Sequence, residues 1–244
     1  MTDDKPWSGQ NVIDFYSRHR NSEKDLYDSE RYMLSKVSDR ISSVLDVGCA
    51  AGGFYTIFQG LNPGVSYTGI DISEEMIHKA SFLHPGVPFF QSKAEMIHFP
   101  DDHFDLVYCS GTIHMSLHWR EMMRECWRVA RKFFIFDVRL VEDLPSIESE
   151  VKSYEKIAFN DSWDGHTVVP YVIINVNAFL KEVDDLNPRP CSSNFYGYYH
   201  NVSPMTVTEA EYQTVCMTMV CLSKEHINNE KDIWALPFPR KSIR

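Results

Sequence analysis

The sequence predicts an α/β domain whose mostly parallel sheet is covered by helices on both faces. Three observations carry this. Five short β-former runs alternate with mostly helical patterns between residues 42 and 138, as repeated βαβ units require. The first run, Ile41 to Val47, is rich in Ile, Val and Leu, as a strand buried on both faces should be. It leads directly into Gly48-Cys49-Ala50-Ala51-Gly52-Gly53 and then a segment able to begin a helix. Small residues let a backbone turn sharply and lie against a ligand, and helix N-terminal N–H groups point back at such a loop.

In chain order, residues 1–10 read as a polar lead-in. From Asn11 to Val37 the pattern is helical, through Val12, Ile13, Phe15 and Tyr16, then Leu26, Tyr27, Tyr32, Met33 and Leu34. Asn21-Ser22 breaks it and offers a new N-cap, with Glu23 and Asp25 in the first turn, so two short helices precede strand one. A helix to about Gln59 follows the small-residue loop, and Gly60-Leu61-Asn62-Pro63-Gly64 is turn chemistry. Strand two, Ser66 to Ile70, ends at Asp71. Ser73 can cap the next helix, with Glu74 and Glu75 where carboxylates suit the helix dipole. His84-Pro85-Gly86 stops that helix, and strand three is Pro88 to Gln91. Strand four is Phe104 to Cys109, ended by Ser110-Gly111. A helix from Trp119 to about Arg131 leads to strand five, Phe133 to Val138.

Beyond strand five the pattern loosens. Ser146 to Phe159 is a candidate helix, followed by a turn at Asp164-Gly165. Asn175 to Leu186 is helical and is stopped by Asn187-Pro188-Arg189-Pro190. Asn194 to Asn201 and Glu211 to Ser223 read as two late strands, antiparallel at the sheet edge. The tail from Lys224 reads as charged surface.

The 244 residues suffice for one domain with a full core. A formal charge of -10 and a pI near 5.4 disfavour sequence-independent binding to nucleic acid, which needs clustered Lys and Arg. None of the six cysteines forms a CxxC or pairs with histidine at zinc-finger spacing, so free thiols are expected. The polar, acidic N-terminus argues against a signal peptide, and no apolar run approaches the roughly 20 residues of a membrane span. The expectation is a cytoplasmic protein, monomer or homodimer, with neither a membrane nor a metal.

In parallel sheets ligands bind beyond the carboxyl ends of the strands. That puts Asp46 to Gly53, Asp71, Ala94-Glu95, Cys109 to His114 and Asp137 to Arg139 on one rim. Four of these segments resemble the class I S-adenosylmethionine-dependent methyltransferases, in particular the small-molecule group. Asp46-Val47-Gly48-Cys49-Ala50-Ala51-Gly52 is similar to the family's acidic residue and glycine-rich loop, with Ala50 at the middle glycine. Asp71 fits the acid that ends strand two, and Phe104 to Ser110 is similar to the strand-four motif. Ser92-Lys93-Ala94-Glu95 stands where the family more often has Gly-Asp-Ala, leaving Ala94 and Glu95 as candidates beside an adenine.

The resemblance implies a three-layer Rossmann-like methyltransferase fold, with a mostly parallel seven-stranded sheet and an antiparallel last strand. It divides the domain into N-terminal helices (1–40), a cofactor-binding half (41–139), a substrate-shaping insert (140–175) and a C-terminal helix with a strand pair (176–225). The implied cofactor is S-adenosylmethionine, with S-adenosylhomocysteine as product. Asp46, Gly48, Cys49, Ala50, Gly52, Asp71, Ile72, Met76, Ala94, Glu95, Cys109 and Ser110 are the candidate binding residues.

The residue chemistry supports the same roles. Asp71 can accept both ribose hydroxyl hydrogens, Ile72 and Met76 can flank a purine, and Asp46 can organise the loop or meet an amino group. His114 is the candidate general base and Arg139 the candidate anchor for a substrate carboxylate or phosphate. Packing under the cofactor for His114, and an ion pair to Asp137 or Glu142 for Arg139, are the competing roles. Tyr16, Arg18 and Arg20 can close over the cofactor. Trp163, His166, Tyr171, Tyr196, Tyr198 and His200 can build an acceptor pocket.

An NAD(P)-dependent oxidoreductase is the rival, since Gly48-x-Ala50-x-x-Gly53 loosely satisfies a GxGxxG. Asp46 two places before the first glycine, the two leading helices and the late strand pair weigh against it. A catalytically silent binding protein on the same fold is the third reading. The expected function is methyl transfer to a small molecule, on oxygen in preference to nitrogen.

Overall fold

Apolar runs become strands, and amphipathic runs become helices packed over them. The computed structural model describes residues 5–7, 9–159, 162–225 and 234–238. Part of the polar lead-in, two residues of the insert and most of the charged tail lie outside the described residues. Helices α1 (Gln10–Tyr16) and α2 (Asp28–Ser35) precede β1 (Ser43–Val47). Then follow α3 (Gly53–Leu61), β2 (Ser66–Asp71), α4 (Glu74–Leu83), β3 (Phe89–Gln91), β4 (Phe104–Cys109), α5 (Trp119–Val129) and β5 (Ala130–Val141). The second half holds β6 (Tyr154–Phe159), β7 (Ser162–Pro170), β8 (Ile174–Asn175), α6 (Val176–Asp184) and β9 (Ser192–Asn201). It ends with β10 (Thr206–Val207), β11 (Thr214–Ser223) and β12 (Trp234–Ala235).

The main sheet runs β12-β9-β11-β5-β4-β1-β2-β3, with β8 also on β5. Neighbours from β3 to β5 pair in parallel, and β11 pairs antiparallel with both β5 and β9. Seven strands thus match the expected sheet, and the two-residue strands β8 and β12 raise the count among the described residues to nine. Side chains alternate across it. Val44, Leu106, Phe133 and Ile135 face α2, α3 and α4, whereas Leu45, Val107, Phe134 and Phe136 face α5 and α6. Trp119 and Trp127 of α5 are fully buried there. Side chains of this size make the largest contributions to a core, since the gain scales with apolar area removed from water.

Three expectations are corrected. The helix at Ser146 to Phe159 does not form; β6 pairs antiparallel with β7, β10 completes a three-stranded sheet, and Asp164-Gly165, expected as a turn, lies inside β7 where the pairing register shifts. Gly165 takes φ +91°, which accommodates the extra residues of β7 at that shift, and strand pairing satisfies backbone groups that helical spacing alone left undecided. Strand five is longer than expected because β11 pairs it through Leu140 and β8 through Val141. Ser22 caps only a short turn at Glu23–Asp25, while α2 begins at Asp28, where Glu30 Oε2 accepts from Tyr27 N at 2.9 Å. Ser73 does cap α4, accepting from Met76 N at 3.3 Å. The six cysteines are unbridged, and among the described residues no helix is long and apolar enough to cross a membrane.

Candidate active site

The carboxyl ends of β1, β2, β4 and β5 open into a cavity of about 790 Å³. The loop after β1 forms one wall. Gly48 N and Cys49 N donate to Ile70 O at 2.8 and 3.0 Å, which fixes the loop to the end of β2. Gly48 takes φ +77°, and a Cβ built on it would lie 2.3 Å from Thr112 Oγ1. Glycine is therefore required both by backbone conformation and by the close approach of the β4 loop. Ala50, at φ +47°, holds a left-handed conformation despite its methyl group.

Asp71 is tied to this loop. Its Oδ2 accepts from Ala50 N and its Oδ1 from Ser73 N, both at 2.9 Å. Each oxygen keeps acceptor capacity toward the cavity, which Asp71 lines. Burial pushes its carboxyl up from the usual range, and the backbone N–H groups oppose that rise. Asp46 is 2% exposed and accepts from Tyr67 Oη at 2.5 Å. Burial pushes its carboxyl up to about 7, with the Tyr67 bond pulling the other way.

A hub missed by the sequence reading lies beside them. Glu30 is fully buried; its Oε1 accepts from Arg20 Nη2 at 2.5 Å, Tyr108 Oη at 2.8 Å and Ser110 Oγ at 2.7 Å. It ties the leading segment to the end of β4. Its only sequence signal was an acid in the first turn of a helix, which reads as dipole compensation. Arg20 also lies over the Tyr27 and Phe54 rings, 4.6 and 5.2 Å from their centroids.

The far end of the cavity is built by His114, Asp137 and Arg139. Asp137 Oδ1 accepts from Gly111 N, and its Oδ2 from Arg139 Nη1, each at 2.5 Å. Arg139 Nη2 lies 3.3 Å from His114 Nε2. A guanidinium has only donors, so Nε2 is the acceptor and the ring proton is on Nδ1, 3.9 Å from Asp137 Oδ2. Burial, then the Arg139 charge, push the imidazole down to about 3, so it is neutral at pH 7. Burial works against the Arg139 charge, and Asp137 more than restores it. Glu155 of β6 lines the same cavity, and burial pushes its carboxyl up against the pull of Arg139.

Of the expected residues, Asp46, Gly48, Cys49, Ala50, Asp71, Ile72, Met76, Ala94, Glu95, Ser110, His114 and Arg139 all line the cavity. Gly52 and Cys109 do not. A Cβ on Gly52 would meet the Phe89 and His84 rings at 2.8 and 2.9 Å, and Cys109 is buried in the core beneath α5. Tyr16 and Arg20 line the cavity, but Arg18 is turned to solvent. Tyr171, Tyr198 and His200 line a second cavity of about 350 Å³, whereas Tyr196 packs on Tyr32 at 5.2 Å. Trp163 and His166 are exposed. Glu155 and Met217 are lining residues that no local motif announced, since β6 read as helix and β11 as plain strand.

Residues 45–135 match the model of the methyltransferase domain family. The chain is 33% identical over 90 residues to phthiotriol/phenolphthiotriol dimycocerosates methyltransferase of Mycobacterium tuberculosis, covering 36% of this chain and 33% of that protein. It is 31% identical over 150 residues to fatty-acid O-methyltransferase of Mycolicibacterium smegmatis, covering 59% of this chain and 55% of that protein. The matched segment thus spans from a third to just over half of these relatives' own length. A solved S-adenosylmethionine-dependent methyltransferase from Methanosarcina mazei shares the fold with a TM-score of 0.56 at 17% identity, over 82% of this chain and 98% of that one. The family match thus covers the cofactor half of the chain, and the fold is the one seen in solved S-adenosylmethionine-dependent methyltransferases.

Proposed function

We propose that this protein transfers a methyl group from S-adenosylmethionine to an oxygen of a small molecule, leaving S-adenosylhomocysteine. The observation that carries the reading is the left-handed small-residue loop bonded through Ala50 N to Asp71, with acceptor capacity left on both Asp71 oxygens. The cofactor supplies a methyl carbon already activated by a sulfonium. The protein supplies alignment and a dry cavity. In this reading Asp71 accepts the ribose hydroxyls, and the backbone at Gly48 and Ala50 receives the methionine portion. Asp46 faces the amino group, and Ile72 and Met76 flank the adenine, with Ala94 and Glu95 beside it. His114 and Arg139 mark the acceptor end. The fatty-acid O-methyltransferase among the relatives supports oxygen over nitrogen.

Titration calorimetry with S-adenosylhomocysteine and, separately, with NADH tests the donor. The first should bind and the second should not. Asp71→Ala should weaken S-adenosylhomocysteine by about a hundredfold, because two hydrogen bonds to a carboxylate are lost and each tenfold is about 1.4 kcal/mol. Unchanged affinity in that variant, with native circular dichroism, would remove the assignment of Asp71. Binding of NADH alone would favour an oxidoreductase, and binding of neither a silent scaffold.

A further inference from the structure

We infer that the methyl acceptor is a carboxylate, held by Arg139 where the two cavities meet. This rests on the donor reading above and names the substrate class of that site. The 350 Å³ cavity shares Tyr27, Arg139, Glu155 and Met217 with the larger one, so Arg139 lines both. Arg139 is 7% exposed; Nη1 bonds Asp137, Nη2 bonds His114 and the Tyr171 side chain also interacts with the guanidinium, but Nε has no hydrogen-bond partner among the described residues. A buried donor left unpaired is costly, and a charged one more so. Thr206 Oγ1, on the lining of the second cavity and 7% exposed, is also unpartnered. Two orphaned polar groups from separate chain segments on one cavity point to a polar ligand.

The proton chemistry selects a carboxylate. A hydroxyl acceptor needs a base, and His114 Nε2 is already committed to Arg139. A carboxylate is already ionised at pH 7 and needs none. Its oxygen lone pair forms the bond to the methyl carbon, the carbon–sulfur bond breaks, and its electron pair returns to sulfur. The sulfonium becomes a neutral thioether, a methyl ester forms, and no proton is released. Charge agrees. Asp137 cancels Arg139, so the sulfonium is left for a monoanion to balance. Glu155 accepts no hydrogen bond among the described residues, and its burial favours the protonated form, which can donate to the acceptor's second oxygen. A phosphate dianion would face Asp137 with a second negative charge that no group offsets, since the remaining groups around the second cavity, Tyr27, Tyr171, Tyr198 and His200, bring no fixed positive charge.

The test uses the full chain. Octanoate and phenylacetate, each beside its matched alcohol, amine and phosphate ester, are titrated into the S-adenosylhomocysteine complex. The same compounds are then offered with methyl-tritiated S-adenosylmethionine. The acids should bind and turn over, alkali should release the label as methanol, and an indicator dye should show no proton release. Arg139→Gln should lower kcat/KM by about a hundredfold, with Arg139→Lys keeping part of it. Because Arg139→Gln leaves Asp137 buried and unpaired, Thr206→Val is the second variant. It should raise the acid's dissociation constant by about tenfold or more, the value of one hydrogen bond to a charged carboxylate, with S-adenosylhomocysteine affinity unchanged. Alkali-stable label, one proton per turnover, preference for the phosphate, or no binding of either acid to a complex that does hold S-adenosylhomocysteine would overturn the inference. Failure of S-adenosylhomocysteine itself to bind would instead overturn the donor reading.

Discussion

Replacing Gly48 by alanine isolates what the loop demands of its first position. At φ +77° a residue with a Cβ costs about 1–2 kcal/mol from its own backbone. The added methyl would also lie 2.3 Å from Thr112 Oγ1 and 3.0 Å from Thr112 Cγ2. Rotating a β-branched side chain only exchanges one close contact for the other, so the β4 loop must move, at about 1–3 kcal/mol. The two effects together predict a loss of about 2–5 kcal/mol. In a Thr112→Ala background both of those atoms are gone; the Cβ of residue 112, 3.2 Å away, remains but yields by a few tenths of an ångström, so little beyond the backbone cost of about 1–2 kcal/mol is left. The coupling between the positions should therefore be about 1–3 kcal/mol. Urea unfolding of the four proteins, fitted with a common slope, measures it. A Gly48→Ala cost below about 0.5 kcal/mol would refute the left-handed loop. Equal costs with and without Thr112 would refute the contact.

Three further outcomes are expected. Ala50→Gly should stabilise the protein by about 0.5–1 kcal/mol, because relief at φ +47° exceeds the entropy a glycine adds to the unfolded chain; a lower urea midpoint would contradict this. Glu30→Ala strands Tyr108, Ser110 and the Arg20 charge, and should cost about 3–5 kcal/mol; an unchanged thermal midpoint would show that the hub is dispensable. Asp46 titrates near 7 when folded, above its unfolded value, so the free protein loses stability as pH rises from about 4 through 7. An amino group beside it favours the carboxylate, so S-adenosylhomocysteine affinity should rise between pH 5 and 7, and Asp46→Asn should flatten the profile. Calorimetry showing a wild-type affinity that falls over that window would remove Asp46 from the amino group.

The loop wall of the cavity was legible because its residues are near neighbours in sequence. Asp46 through Ala50 and Asp71 through Met76 each follow one strand, and parallel pairing of β1 with β2 brings the two segments together. Burial pattern and small-residue spacing carry that information locally. Gly52 and Cys109 misled because spacing fixes a loop or strand end but not which way each residue faces; Phe89 and α5 claim them. Glu30 was hidden because a first-turn acid looks the same whether it meets water or a buried tyrosine.

The sequence alone determined the seven main strands, the helices between them and the small-residue loop. Hydrophobic periodicity and turn chemistry are local properties, and they report which residues must leave water. Tertiary structure decided the far end of the cavity. His114, Asp137, Arg139, Glu155, Tyr198 and Thr206 come from segments far apart in the chain, and only sheet pairing and the β6–β7 hairpin bring them to the same two cavities. Periodicity records that a segment is buried but not its partner, so the insert read as a helix until pairing with β7 and β10 gave its backbone another solution.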